Sequence, residues 1–164
     1  LVAIAKRNKT TIAYIKQVNG LFSTTIHPGN RLVLYPFDFE FTADLKNKTF
    51  SVWERDRFVT AYPILDFQRP LRGSFPGRTK ISDKMAWLNG KQVRLTDQQA
   101  SQAELWLQTP GRGQAQGVVI CAPPTDGGDA PGAENIGFGI YLKKSAILEL
   151  STLTRVGTPV NIVN

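Results

Sequence analysis

From residue 35 onward large rings alternate with polar or turn residues: Tyr35, Phe37, Phe39 and Phe41 fall on one parity, Pro36, Asp38, Glu40 and Thr42 on the other. In an extended chain successive side chains point to opposite faces, so this period of two predicts a strand with one face buried and one wet. A helix would scatter the four rings around its circumference. Pro36 cannot donate to a ladder and belongs at an edge or a bulge. Strand-like runs recur at residues 11–18, 21–26, 31–42, 62–68, 91–95, 104–108, 117–121, 136–143 and 146–154. Between them stand Asn19-Gly20, His27-Pro28-Gly29, Asn47-Lys48, Pro76-Gly77, Asn89-Gly90 and Pro110-Gly111, turn formers through positive φ or a fixed proline φ. Short strands with this punctuation predict an all-β fold, a jelly-roll β-sandwich of two antiparallel sheets.

Two stretches break the alternation. Ser51 and Glu54 have the spacing of a capping box, which predicts a short amphipathic helix over residues 52–59. Thr96 is placed to cap a second one over residues 97–103. Each would be roughly two turns long and would decorate the β framework. No internal repeat or linker is visible, and residues 122–132, rich in Pro, Gly and Asp, read as one surface loop. The chain is expected to form a single domain over residues 1–164, with residues 1–10 a partly basic N-terminal arm. Because it begins with Leu1 rather than Met, an upstream segment is expected to precede it.

Composition narrows the chemistry. At 164 residues the chain can bury a core without disulfide staples. Its one cysteine, Cys121, has no internal partner, and with a single histidine, His27, it cannot build a Cys/His zinc cage. No apolar run approaches the ~18 residues needed to cross a bilayer, so no membrane partner is expected. The net charge is +7 and uneven. Residues 69–94 carry Arg69, Arg72, Arg78, Lys80, Lys84, Lys91 and Arg94 against Asp83, whereas residues 95–142 set Arg112 against Asp97, Glu104, Asp126, Asp129 and Glu134. Such asymmetry favours a polyanionic partner, or contact between basic and acidic surfaces of neighbouring subunits.

No catalytic residue is expected, and the chain reads as a non-enzyme. His27 precedes Pro28-Gly29 in a tight turn, with no nucleophile in evidence beside it. Cys121 closes the apolar run Gly117-Val-Val-Ile-Cys and reads as a small buried hydrophobe. Asp38 and Glu40 share a strand face at roughly 6.5 to 7 Å between Cα atoms, which is ordinary for a wet face. Asp126, Asp129 and Glu134 offer hard oxygen ligands on a glycine-rich backbone, so calcium is the one metal to consider. Three carboxylates do not complete its coordination, which would place such a site between subunits. No other cofactor is expected.

The order of elements resembles a known family. The aromatic strand, then Thr49-Phe-Ser-Val-Trp-Glu-Arg-Asp-Arg-Phe-Val as a capped helix, then Ala61-Tyr-Pro-Ile-Leu-Asp-Phe-Gln-Arg-Pro as a strand, is similar to the shell domain of small icosahedral positive-strand RNA virus coat proteins. Ile136-Gly-Phe-Gly-Ile-Tyr-Leu-Lys-Lys-Ser-Ala-Ile-Leu-Glu-Leu resembles the last long strand of such shells, as in tombusvirus-like and satellite virus coats. The resemblance implies a capsid of about 60 or 180 copies, located in the virion and assembled in the host cytoplasm, that packages single-stranded RNA. RNA contacts would fall first to Lys6, Arg7 and Lys9, what remains of an arginine-rich arm, and then to Arg69, Arg72, Arg78 and Lys80, with Phe75 stacking on a base. Trp53, Trp87 and Trp106 would anchor subunit interfaces. The inter-subunit aspartate motif of many such shells is absent.

Two rivals stand beside this reading. A carbohydrate-binding β-sandwich, lectin-like, would expose Trp87 or Trp106 beside Asp126 and Asp129. A β-sandwich hydrolase would set Asp38 or Glu40 in a deep cleft.

Overall fold

The computed structural model describes residues 1–36, 38–68, 77–94, 102–111, 117–123 and 139–164. Two helices come first, α1 (Val2–Arg7) and α2 (Ile12–Val18). The strand expected over residues 11–18 is therefore a helix. Thr11, extended at φ −112° and ψ 153°, accepts a hydrogen bond from the Tyr14 amide at 3.1 Å and so caps α2. Ile12, Ile15 and Val18 recur every three residues, and Ile15 is fully buried on the stripe they form. No strand forms over residues 21–26 or 31–36.

Strand β1 (Phe39–Asp44) keeps the alternation. Phe41 and Ala43 are buried, while Glu40 and Thr42 face outward. The aromatic face expected from residue 35 thus begins only at Phe39. Tyr35 is 54% exposed and meets the edge of Tyr14, and Phe37 lies outside the described residues.

The predicted capped helix is instead a hairpin of β2 (Thr49–Glu54) and β3 (Arg57–Pro63). Arg55 and Asp56 take φ of 46° and 65°, the two positive values of a mirror-type two-residue turn. Ser51 does not cap: its Oγ donates to the Thr42 carbonyl across the ladder and accepts from Trp53 Nε1 at 3.0 Å. The expected helix at residues 97–103 falls mostly outside the described residues, and 102–103 are not helical.

The remaining elements are β4 (Asp66–Phe67), β5 (Arg78–Lys80), β6 (Asp83–Leu88), β7 (Lys91–Val93), β8 (Glu104–Gln108), β9 (Val119–Cys121), β10 (Gly139–Tyr141), α3 (Lys144–Leu153) and β11 (Pro159–Val163). The strand expected over 146–154 is helix α3, whose buried Ala146, Ile147 and Leu150 sit at helical spacing.

The protein is mostly β, with two mixed sheets and few helices. One sheet runs β3-β2-β1-β11-β5, the other β4-β10-β9-β8-β6-β7. Each holds a parallel pair, β1 with β11 and β9 with β10, so the expected pair of antiparallel sheets is not what forms. The core lies between the sheets and α3: Phe41, Phe50, Ile120, Ile140, Leu150 and Val160 all belong to it. Lys84, on β6, reaches the C-terminal end of α3, where its Nζ donates to the carbonyls of Ser151 and, at 2.8 Å, Thr154.

Candidate functional site: a cleft on the first helix

Residues 1–36 build a cleft from short-range contacts. Asn19 ends α2 and ties it to the extended segment beyond. Its Nδ2 donates to the carbonyls of Ile15 and Val33, both at 2.8 Å, and its Oδ1 accepts the Val33 amide at 2.7 Å. The amide side chain thus does for Val33 what a neighbouring strand would do. At the turn, the His27 amide donates to Asn30 Oδ1 at 2.8 Å and the Asn30 amide to the His27 carbonyl at 3.1 Å. His27 is exposed in this turn, as its Pro-Gly neighbours predict.

Between α1 and this returning segment lies an open cleft of about 580 Å³, lined by Ala3, Ile4, Arg7, Asn8, Asn30, Leu32 and Leu34. Apolar and polar groups both line it. Asn8 Nδ2 is held on the Ile4 carbonyl at 2.9 Å, which leaves its Oδ1 to accept. Asn30 Oδ1 is occupied, which leaves its Nδ2 to donate. Arg7, exposed on the last turn of α1, supplies a cation. Sequence reasoning passed over Asn8 and Asn30, and read Asn19 only as half of a turn dipeptide with Gly20. Their signal was position, since short amides just after helices and in turns commonly tie loops.

A second cluster sits on the six-stranded sheet, on the face away from the main core. Tyr141 pairs with Asp66 and with Cys121, Met85 pairs with Trp106, and Trp106 lies one step beyond the Leu107–Ile120 pair, opposite Cys121. One row therefore runs Asp66, Tyr141, Cys121, Trp106, Met85 across five strands. Trp106 packs on Trp87 at 5.5 Å between centroids. Cys121 is 1% exposed, and burial, with the Glu104 charge adding to it, pushes its thiol up to about 12. It is a neutral thiol at ordinary pH, as its apolar run predicts. Burial first, then Cys121 and Asp66, also raises the Tyr141 phenol.

The other sequence candidates scatter. Lys6 and Arg7 lie on α1 and Lys9 just after it at φ 49°, all exposed, so they sit on folded chain rather than an arm threaded inward. Arg78 and Lys80 are exposed on β5. Arg69, Arg72, Asp126, Asp129 and Glu134 lie outside the described residues, and among the described ones no group of three His, Cys, Asp or Glu side chains is placed to hold a metal. Trp53 packs edge-on against Phe58. Trp106 is only 8% exposed, so it offers neither a free interface anchor nor the exposed ring of the lectin-like reading. Asp38 is paired with Arg55 at 3.0 Å on the surface. No described helix is long and apolar enough to cross a membrane.

The LysM domain family model matches residues 1–34, the stretch that builds the cleft. Among solved structures, the chain is 16% identical to Bd1075 of Bdellovibrio bacteriovorus, with a TM-score of 0.51 over 76% of this chain and 47% of that one. It is 18% identical to a C442S mutant of the Enterococcus faecium L,D-transpeptidase, with a TM-score of 0.46 over 76% of this chain and 49% of that one. With a fused Zn-dependent amidase/peptidase/peptidoglycan-binding domain-containing protein of Clostridium acetobutylicum it shares 15% identity and a TM-score of 0.47, over 90% and 73% of the two chains. The chain spans about half the length of the first two. No curated protein matches it. At these identities the likeness is one of fold.

The coat-protein reading is thereby corrected. The residues assigned to an RNA-threading arm, Lys6, Arg7 and Lys9, fall inside the LysM match. The icosahedral shell, the single-stranded RNA partner, and the virion and host-cytoplasm locations fall with it. Carbohydrate binding, the rival, fits better.

Proposed function

We propose that this chain is a non-catalytic, cell-wall-associated protein of bacterial type that binds the glycan of peptidoglycan in the cleft of residues 1–34, and that its two-sheet body is of the L,D-transpeptidase kind. The coincidence of the LysM match with the cleft carries the reading. The cleft suits an amino-sugar polymer. Ala3, Ile4, Leu32 and Leu34 meet the apolar faces of sugar rings and acetyl methyls, while Asn8, Asn30 and Arg7 address acetamide and hydroxyl groups. Absence of catalysis is supported by Cys121, the chain's only thiol, which is buried and protonated, and by His27, its only imidazole, held in an exposed turn. No metal or other cofactor is required for binding in this reading.

The test is a pull-down of the intact chain on insoluble peptidoglycan, with titration of a soluble N-acetylglucosamine oligomer. Each hydrogen bond lost to a buried sugar group is worth about 1 kcal/mol, so the double variant Arg7→Ala, Asn30→Ala should weaken oligomer binding about tenfold or more. A chelator should leave binding unchanged, and the glycan should be recovered uncleaved. Undiminished binding by the double variant would remove the cleft from the proposal; released muropeptides would remove its non-catalytic part.

A further inference from the structure

The outer face of the five-stranded sheet is open to solvent and carries an ordered pattern of side chains. Ala61 pairs with Ser51, Ser51 with Thr42, Thr42 with Asn161, and Asn161 with Arg78, one row across all five strands. In the adjacent row Phe58 pairs with Trp53, Trp53 with Glu40, and Pro159 with Lys80, while Glu40 lies one step beyond the Phe41–Val160 pair, opposite Pro159. The first row is polar with a cation at its end. The second has two aromatic rings at one end and a cation at the other.

The aromatic end is built rather than incidental. Phe58 is 59% exposed and stands edge-on to Trp53, with centroids 5.5 Å apart and planes at 76°. The Trp53 indole is oriented by its bond to Ser51 Oγ. Next to it a shallow groove of about 230 Å³ is lined by Glu40, Thr42, Arg78, Pro159 and Asn161, among others. Among the described residues the side chains of Glu40, Thr42, Asn161, Arg78 and Lys80 make no hydrogen bond or ion pair. Their donors and acceptors are unspent. An ordinary wet sheet face pairs its charges across strands; here Arg78 and Lys80 stand together on β5 without a carboxylate facing them in register.

We propose that this face is a second saccharide site, for an oligosaccharide that bears carboxylates. An oriented, partly exposed indole with a ring beside it presents an apolar plane for the C–H face of a sugar. Thr42, Asn161 and Glu40 receive ring hydroxyl or amide groups along the groove. Arg78 and Lys80 take the carboxylate, Arg78 by its two-pronged guanidinium. From β2 to β5 the face spans three strand spacings, roughly 14 Å, the reach of a short oligosaccharide rather than one sugar. The site shares no residue with the cleft of residues 1–34 and does not rest on the reading of that cleft.

The experiment is a ¹H–¹⁵N NMR titration of the intact chain with two soluble probes, a galacturonic acid tetramer and the neutral N-acetylglucosamine tetramer. The acidic tetramer should shift the Trp53 indole and the Thr42, Asn161 and Arg78 amides, and should bind this face at least tenfold more tightly than the neutral one. Arg78→Ala and Lys80→Ala, both at exposed positions on β5, should each weaken the acidic tetramer several-fold, and Trp53→Ala about tenfold. Arg7→Ala should leave it unchanged while weakening the neutral tetramer at the cleft. Shifts confined to the cleft, equal affinity for the two tetramers at this face, or unaltered binding by Arg78→Ala would each overturn the proposal, whatever the outcome for the cleft.

Discussion

Lys84 is the residue whose charge the core must accommodate. It shares the inner face of β6 with buried Ala86, and its ammonium closes the C-terminal end of α3 by donating to the Ser151 and Thr154 carbonyls. A cation there is favoured by the helix's free carbonyls, yet burial lowers its pKa from 10.5 to about 8. The unfolded chain therefore holds this proton up to about pH 10.5, whereas the folded chain releases it near 8. Between those values the unfolded state binds more protons, so the lysine's contribution to stability rises with pH, by up to about 1.4 kcal/mol per unit. The neutral amine still has two N–H groups for two carbonyls, so the bonds survive deprotonation. In urea denaturation from pH 7 to 10.5, the stability difference between wild type and Lys84→Met should move in favour of wild type above pH 8. A difference that stays constant would mean that the ammonium is no worse solvated in the folded chain than in the unfolded one.

At the scale of elements, the β2–β3 hairpin is the informative error. Its turn needs positive φ at two consecutive residues, and the chain places Arg55 and Asp56 there, at 46° and 65°. The left-handed region costs an ordinary residue roughly 1 kcal/mol or more, and the surface pair of Arg55 with Asp38, at 3.0 Å, returns little of it. Replacing Arg55-Asp56 by Asn-Gly should raise stability by about 1 kcal/mol, a thermal shift of a few degrees. A lower melting temperature would show that the Arg55–Asp38 pair matters more than the turn. This is also why the hairpin was not legible: a turn without Asn or Gly sends no signal, and the Ser51/Glu54 spacing then imitates a capping box. Where the signal exists it works. Asn89-Gly90 adopts φ of 48° and 80° between β6 and β7, and β8 spans the residues that the pattern assigned to it. Residues 146–154 misled for another reason. Ile147, Thr152 and Thr154 have strand propensity, and the helical spacing of Ala146, Ile147 and Leu150 decides the outcome only because the core rewards that stripe.

For the whole molecule, what the sequence could not convey was long-range. The placement of β11 beside β1, and of β9 beside β10, both parallel, leaves no trace in local alternation, and it is these pairings that depart from the antiparallel sandwich. The coat-protein resemblance failed at the same level, because it relied on a helix between two strands where the chain forms the β2–β3 hairpin. Of the candidate sites, the residues at the cleft were legible only as the basic trio Lys6, Arg7 and Lys9, with Arg7 alone among the cleft's lining residues, because the rest of the cleft arises from Asn-mediated turns. Thr11 ties the same first unit to the β body. Thr11 caps α2 by accepting from the Tyr14 amide and, through its Oγ1 hydrogen, donates to the Thr152 carbonyl at the end of α3 at 2.9 Å. One hydroxyl therefore starts the second helix and docks it. Thr11→Ala removes both functions and should lower global stability by about 1 to 2 kcal/mol, while Thr11→Ser should restore most of it. Hydrogen exchange distinguishes the two roles. If the unit is coupled to the body, Thr11→Ala should accelerate exchange of the amides of α2 and of the last turn of α3 together; if only the cap is lost, acceleration will stop at the first turn of α2, and the cleft and the β body will behave as independent modules.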